Sequence, residues 1–221
     1  MKKIRKKHEQ SIIDGFSNRF KVNALARGRS VTKCSLDGQD VELGSDYLFT
    51  DSSRFMLVEF KFEVDGLKTE GTKHRRKKMC LKLDADSEIR ARSLRCHYIA
   101  WTVKNGARTM SFNQYYPEIC NKDIFGPDVN LLKNSANKTS RLSADSIMND
   151  FLDQSLGDNF YSFKSYVQWL KMIEEDNDPI ELLLDNPDSH QLEFLEFNSL
   201  VDLKTWLERQ NFKPKPPRLT F

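Results

Sequence analysis

Three features that are absent from this sequence limit what it can encode. No apolar run approaches the roughly 18 to 20 residues that a transmembrane helix requires, so no membrane-spanning segment is expected. The basic start, MKKIRKKHEQ, is not followed by an apolar segment, so we expect no secretory signal peptide. Paired cysteines are also missing, since Cys34, Cys80, Cys96 and Cys120 are widely spaced and form no C-x-x-C motif. A zinc site is therefore not expected, and four scattered thiols are more typical of a reducing cytoplasm than of a disulfide scaffold.

Charge is present in quantity, and it is distributed unevenly. Residues 1–110 contain 24 Lys and Arg against 14 Asp and Glu, whereas residues 111–221 contain 11 against 18. The first half therefore suits a polyanion, and the second half would repel one. This asymmetry points to nucleic acid as a partner of the first half.

The hydrophobic periodicity predicts a mixed α/β protein. Apolar residues recur at helical spacing between residues 5 and 26, and alternation with a period of two then predicts strands in RSVTKCSLD, SDYLFT and RFMLVEFKFE. The turn TDSSR makes the last two an antiparallel hairpin. A basic helical stretch at 72–95, broken near LDADS, precedes strands in CHYIAWTV and RTMSFNQYY. The predicted order is helix, three strands, helix, strand.

The rest of the chain is predicted to be mainly helical. Residues 121–140 are rich in turn residues and suggest a connection between a core over residues 1–120 and an extension over 141–221. Within the extension we predict helices in ADSIMNDFLDQSL, FYSFKSYVQWLKMIEE and LVDLKTWLERQ, with a short strand in QLEFLEF. Its acidic character suggests a regulatory or partner-binding region.

The candidate site lies on the hairpin. Alternation places Glu59 and Lys61 on one face of the third strand, and Asp46 on the adjoining face of the second. Glu9, on the apolar side of the first helix, is a fourth candidate. Carboxylates that converge in a semi-buried cleft repel one another, and a hard divalent cation such as Mg²⁺ (or Mn²⁺) relieves this repulsion. Asp46, Glu59 and Glu9 are thus candidate metal ligands, with Lys61 placed to stabilise charge on a phosphoryl group.

With Asp46 opening the second strand and E-x-K in the third, this order of elements resembles the PD-(D/E)xK nuclease superfamily. The residue before Asp46 is Ser45, where the family usually has Pro. The resemblance covers residues 5–118 and implies a restriction-endonuclease-like core and metal-dependent hydrolysis of phosphodiester bonds, most often in DNA. Members of this size often serve restriction, phage-defence or repair systems, and those that cut both strands often form homodimers.

The predicted basic helix is the candidate nucleic-acid-binding element. It contains a dense run of cationic residues: Lys73, Arg75, Arg76, Lys77, Lys78 and Lys82. Many family members also place a Gln, Lys or His on this helix facing the site, and Lys73, His74 and Lys77 are the candidates for that role here.

Several conspicuous residues have structural explanations. His97 is expected to be structural, and Trp101, Tyr115 and Tyr116 are expected in the core rather than stacked on bases. Asp51 is better explained as a turn residue than as a ligand. A second acid–x–lysine triplet, Asp202 to Lys204, lies in a helical pattern and is predicted to be surface.

Three functions follow from these observations. The first is a Mg²⁺-dependent nuclease. The second is an inactive nuclease-like module that binds nucleic acid within a larger assembly. The third, compatible with the first, is an interaction subunit whose acidic half binds a helicase or ATPase. Retention of both Glu59 and Lys61 favours the first.

Overall fold

A computed structural model describes residues 8–36, 39–174, 180–185 and 193–211. The helices in these ranges are α1 (Glu9–Ala26), α2 (Asp40–Leu43), α3 (His74–Ala85), α4 (Ser87–Cys96), α5 (Tyr115–Ile119), α6 (Lys122–Phe125), α7 (Ala144–Leu152), α8 (Phe160–Lys171) and α9 (Leu200–Asn211). Shorter 3₁₀ turns span Val64–Thr72, Lys138–Ser140 and Met172–Glu174. The strands are β1 (Thr32–Ser35), β2 (Tyr47–Thr50), β3 (Phe55–Lys61), β4 (His97–Asn105), β5 (Ala107–Gln114), β6 (Leu142–Ser143), β7 (Leu182–Asp185) and β8 (Phe194–Phe197).

The described strands form one mixed sheet in the order β6-β5-β4-β3-β2-β1-β7-β8. Strands β1, β2 and β3 form an antiparallel meander, in which Tyr47 pairs with Val58. After the α3–α4 crossover, β4 lies parallel to β3, and the other neighbouring pairs are antiparallel. The mixed α/β class is as predicted, and so are the antiparallel start and the break between α3 and α4. At that break Asp86 accepts hydrogen bonds from the backbone N–H groups of Glu88 and Ile89, which caps α4.

The sheet lies between two layers of helices because its strands are apolar on both faces. Met56, Val58 and Phe60 pack with the apolar residues of α1 and α7. Phe55 and Leu57 pack on the opposite face with residues of α3, α4 and α8. This division confirms the predicted alternation of β3 and places Glu59 and Lys61 on the side of the sheet that α3 covers.

The described residues after position 140 contribute to the same sheet and the same core. Strand β6 pairs with β5, and β7 joins the far side of the meander, where Leu183 pairs with Ser35. Phe163 and Tyr166 of α8 are fully buried in the core cluster that includes Leu57. The predicted helical extension is therefore interleaved with the first part of the chain, and its described residues supply three strands.

The cysteines depart from the sequence-based expectation of free thiols. Cys80 of α3 and Cys120, directly after α5, form a disulfide across 40 residues of sequence, while Cys34 and Cys96 are buried free thiols. Their spacing gave no sign of this pair because the contact depends on how α5 packs against α3. The cysteines consequently no longer support the prediction of a cytoplasmic location. Within the described residues, no helix has both the length and the apolar character needed to cross a membrane.

Candidate active site

The candidate site lies at the end of the sheet where β3 finishes and β2 begins. Gly44, with φ of 75°, ends α2 and turns the chain into β2. A Cβ at this glycine would lie 3.1 Å from the ring of His97 and 3.2 Å from the guanidinium of Arg76, so the turn has little room for a side chain. Two residues later, the backbone N–H of Asp46 donates to the carbonyl of Val58. The turn therefore sets Asp46 directly beside the C-terminal half of β3.

Asp46 is fixed by the backbone of β3. Its Oδ2 accepts a hydrogen bond from the N–H of Phe60 at 2.6 Å. Burial, followed by the negative charge of Glu59, raises the pKa of Asp46 to about 7, and this hydrogen bond only partly offsets the increase. Glu9 at the start of α1 adds a smaller upward effect on the same pKa. The structure thus brings Asp46 and Glu59 into the electrostatic contact that the sequence predicted.

Glu59 is a buried carboxylate with two different oxygens. Its Oε1 contacts the ammonium of Lys61 and lies 3.2 Å from that of Lys73. Its Oε2 is buried and has no hydrogen-bond partner among the described residues. A buried oxygen without a partner is costly. Oε1 of this carboxylate is therefore satisfied by ammonium groups, while Oε2 lacks a partner among the described residues.

The site contains a third carboxylate that sequence reasoning missed. Glu70, in the 3₁₀ segment Val64–Thr72, is completely buried. Its Oε1 lies 3.0 Å from Lys61 Nζ and 2.7 Å from Lys73 Nζ. Its Oε2 accepts a hydrogen bond from the hydroxyl of Tyr115 at 2.6 Å and lies 3.3 Å from Arg76 Nε. Glu70 precedes Lys73 by three residues, the spacing of an ion pair on one helical face, and that was the only signal in the sequence.

The ion pairs in this cluster control the charge of its members. Burial alone would raise the pKa of Glu70, but Lys61 and Lys73, with the hydrogen bond from Tyr115, lower it to about 2. Burial alone would likewise lower the pKa of Lys61, but Glu59 and Glu70 hold it above its usual value. At neutral pH Glu70 is therefore ionised and Lys61 is protonated.

The residues fit a divalent cation through two carboxylates. Asp46 has a raised pKa, and Oε2 of Glu59 is buried without a hydrogen-bond partner among the described residues. Mg²⁺ commonly takes one or two protein carboxylates and fills its remaining positions with water and phosphate oxygens. No group of three or more His, Cys, Asp or Glu side chains suited to a metal occurs among the described residues. Glu9 as a third ligand accordingly stays a prediction.

The six cationic residues predicted to bind nucleic acid divide into two sets. Lys73, Lys77, Lys78 and Lys82 lie at or near the surface, with Lys73 reaching into the site and Lys78 paired with Glu174. Arg75 and Arg76 are buried, contrary to the expectation of an exposed basic run. Of the three candidates for the helix residue that faces the site, Lys73 contacts Glu59, whereas His74 and Lys77 are exposed.

Both buried arginines stabilise the fold around the site. Arg76 donates to the carbonyls of Asp40 and Val41, each at 2.6 Å, and pairs with Glu70. Arg75 donates to the carbonyl of Leu170 at 2.8 Å and pairs with Glu174. Because these donors are used inside the protein, the two arginines are not available to phosphates. The four lysines remain the candidates.

The residues assigned to structural roles lie where the sequence predicted. His97 is fully buried between the carbonyl of Gly44 and the hydroxyl of Tyr166, and burial lowers its pKa to about 3. Asp51 accepts hydrogen bonds from Ser53 and Arg54 in the hairpin turn. Asp202 accepts a hydrogen bond from Ser199 at the start of α9. Trp101, Tyr115 and Tyr116 belong to the core.

The chain matches no protein-family model, no curated protein and no solved structure.

Proposed function

We propose that this protein is a metal-dependent nuclease that hydrolyses phosphodiester bonds, with DNA as the favoured substrate. One observation carries the proposal. At a single end of the sheet the half-buried Asp46 lies beside the buried Glu59, desolvation and the charge of Glu59 raise the pKa of Asp46 to about 7, and the ammonium of Lys61 contacts Glu59. A protein that needed these charges only for stability would gain from replacing them with apolar residues, since buried ions lose their hydration.

The topology is consistent with the proposal. A helix, an antiparallel three-stranded meander, a helical crossover and a strand parallel to the third make up the order of a restriction-endonuclease-like core. The candidate residues also lie where strands β2 and β3 meet, as the resemblance to PD-(D/E)xK nucleases implies.

Each residue has a distinct proposed role. Asp46 and Glu59 would hold the divalent cation, and the N–H of Phe60 keeps the Asp46 carboxylate oriented. The bound cation supplies polarisation of the phosphoryl group and a lower pKa for a coordinated water. Lys61 stays protonated between Glu59 and Glu70, and its ammonium stabilises negative charge that develops on the phosphate in the transition state. Lys73 adds a second positive charge at the entrance to the site.

A second candidate function is a nuclease-like module that binds nucleic acid without cutting it. The arrangement of Glu59, Glu70 and the two lysines favours this alternative, because the ammonium groups neutralise both carboxylates without a metal. Under this alternative the protein would bind nucleic acid but would not respond to Mg²⁺. A helicase or ATPase partner for the acidic half of the chain stays a prediction under both.

The test is cleavage of plasmid, linear duplex, single-stranded DNA and RNA with Mg²⁺, with Mn²⁺ and with EDTA. We expect cleavage that depends on the metal. Asp46→Asn and Glu59→Gln should each reduce the cleavage rate by orders of magnitude. Lys61→Met should abolish cleavage but leave the affinity for the metal largely unchanged. The matched control is Asp202→Ala combined with Lys204→Ala, the same side-chain types in the other acid–x–lysine triplet. Wild-type cleavage rates in the Glu59 and Lys61 variants would contradict the assignment. Binding without any cleavage would favour the second candidate.

A further inference from the structure

The β4–β5 hairpin extends beyond the rest of the sheet at the end that holds the candidate site. The last β3–β4 pair joins Lys61 to Trp101, yet β4 continues to Asn105. Strand β5 contacts β6 only through Ser111 and Phe112. Residues 102–110 therefore form a ribbon of two strands with no third strand on either side among the described residues. At about 3.3 Å per residue, the ribbon reaches roughly 13 Å past the end of β3.

The ribbon is exposed, regular and tightly turned. Every residue from 103 to 109 is exposed. Val103 pairs with Thr109, Lys104 with Arg108, and Asn105 with Ala107. Gly106 forms the tip with φ of 73°, a left-handed conformation that favours glycine. Such a ribbon buries little of its own surface, so its extension is not explained by the core.

The charge of the ribbon is positive and unbalanced. Lys104 lies directly opposite Arg108, and like charges in this position destabilise a strand pair. Arg108 is compensated, since it donates to Glu63 at 2.9 Å and lies over the ring of Phe62. Lys104 has no acidic partner among the described residues. The segment 103–110, VKNGARTM, contains no Asp or Glu. Of the two cationic residues, Arg108 therefore has a carboxylate partner and Lys104 does not have one among the described residues.

We propose that this ribbon enters the major groove of double-stranded DNA and holds the duplex against the candidate site. The proposal rests on the proposed function and specifies its substrate. The major groove of B-form DNA, about 12 Å wide and 8.5 Å deep, admits a two-stranded ribbon. The major groove of an A-form RNA duplex is too narrow for side chains to read.

The composition of the ribbon also argues against single-stranded nucleic acid as its ligand. Proteins that bind single-stranded nucleic acid stack successive bases on aromatic side chains, and residues 103–109 contain none. Lys104 supplies a phosphate contact, while Asn105, at the tip, carries an amide that can donate to and accept from a base edge. The ribbon thus suits duplex DNA better than either alternative nucleic acid.

Binding without cleavage tests this proposal separately from the nuclease reaction. The affinities of the full-length protein for a fluorescent DNA duplex, its single strand and an RNA duplex of the same sequence would be measured in EDTA over a range of salt concentrations. We expect the DNA duplex to bind most tightly. Lys104→Glu should weaken that binding about tenfold and lower the salt slope by about one or two units. Replacing residues 104–108 with Asn-Gly, which shortens the ribbon, should weaken it further.

Lys138→Glu is the matched control, since Lys138 is an exposed lysine in a turn outside the ribbon and should retain wild-type affinity. Unchanged duplex affinity in both ribbon variants would overturn the proposal, and so would equal affinity of the wild type for the single strand or the RNA duplex. A wild-type protein that binds no duplex would also overturn the proposal, and the ribbon would then be expected to bind a protein partner. Ribbon-dependent duplex binding without cleavage in Mg²⁺ would support the ribbon and contradict the nuclease.

Discussion

The carboxylate of Glu70, which is completely buried, and the ammonium of Lys61, which is partly buried, lie 3.0 Å apart. Lys61 also contacts Glu59, so one ammonium is shared between a carboxylate that the sequence identified and one that it did not. Lys73 repeats the arrangement from the other side. The candidate site is therefore embedded in a charge cluster on which the surrounding fold depends.

Glu70→Gln should destabilise the protein by about 3 kcal/mol, because it leaves the buried guanidinium of Arg76 without a carboxylate and removes one of the two carboxylates that pair with Lys61 and Lys73. Urea unfolding at pH 7 would measure the loss. Glu63→Gln is the control, since Glu63 forms a partly exposed pair with Arg108 and should cost less than about 1 kcal/mol. Equal effects of the two substitutions would show that the cluster around Glu70 is not important for stability.

The lowered pKa of Glu70 also predicts a pH dependence. The folded state holds Glu70 ionised down to a pKa of about 2, whereas the unfolded chain protonates it near 4.5. The stabilisation is therefore complete above pH 4.5 and is lost as the pH falls toward 2. The Glu70→Gln variant should lack this part of the acid sensitivity, which acid titration of both proteins by circular dichroism would test.

Asp46 should have the opposite effect on stability in the absence of metal. Its pKa is raised to about 7 in the folded state, so between about pH 4 and pH 7 the folded protein binds a proton that the unfolded chain has released. The contribution of Asp46 to stability is consequently present below pH 4 and lost as the pH rises to 7. Urea unfolding in EDTA at pH 5 and pH 8 would measure it. Asp46→Asn keeps an acceptor for the Phe60 N–H and should remove the effect; an identical pH dependence in both proteins would contradict the assignment.

Adjacent cationic residues of α3 should differ sharply in their effects. Arg76→Met removes the donors that hold the carbonyls of Asp40 and Val41, so the expected loss of stability is about 3 kcal/mol. Lys77→Ala changes an exposed side chain and should alter stability by less than about 0.5 kcal/mol while reducing affinity for nucleic acid. Thermal unfolding and a binding titration on each variant would separate the two roles. A stable Arg76→Met protein would mean that the interior bonds of this arginine are dispensable.

The interleaving of the C-terminal third predicts that it cannot be removed. Phe163 of α8 stacks on Phe55 of β3 with ring centroids 5.3 Å apart, and both rings are fully buried. Phe163→Ala should cost about 3 to 5 kcal/mol, whereas Tyr161→Ala, on the exposed side of the same helix, should cost little. A chain that ends at residue 140 should fail to unfold cooperatively. Cooperative unfolding of that fragment, followed by circular dichroism, would show that the core forms without α8.

Much of the fold could be predicted because local patterns determine it. The alternation along β3 and the turn at Asp51 could be predicted from neighbouring residues alone, and the structure confirms both predictions. The same alternation predicted that Asp46, Glu59 and Lys61 share one side of the sheet. Patterns of this kind fail for short or irregular elements. Strands β6 and β7 span only Leu142–Ser143 and Leu182–Asp185, which is too short for a period to be recognised.

The remaining features depend on contacts between distant segments. Glu70 lies in the 3₁₀ segment Val64–Thr72, whose sequence has no apolar periodicity that would distinguish a buried carboxylate from an exposed one. Arg76 occurs in a run of cations that looks solvated, yet α2 presents carbonyls to it from another part of the chain. The disulfide between Cys80 and Cys120 likewise follows from the packing of α3 and α5. Each of these requires tertiary contacts that spacing in the sequence does not encode.

The pairing of Ser35 with Leu183 has a consequence for the order in which the protein can be made. Strand β1 leaves the ribosome early, but the strand that covers its outer edge is synthesised almost 150 residues later. At 5 to 20 residues per second, that edge is uncovered for roughly 7 to 30 s. An uncovered edge is a template for pairing with other chains. During translation the nascent protein is therefore open to aggregation at β1, and slower synthesis would lengthen the exposure.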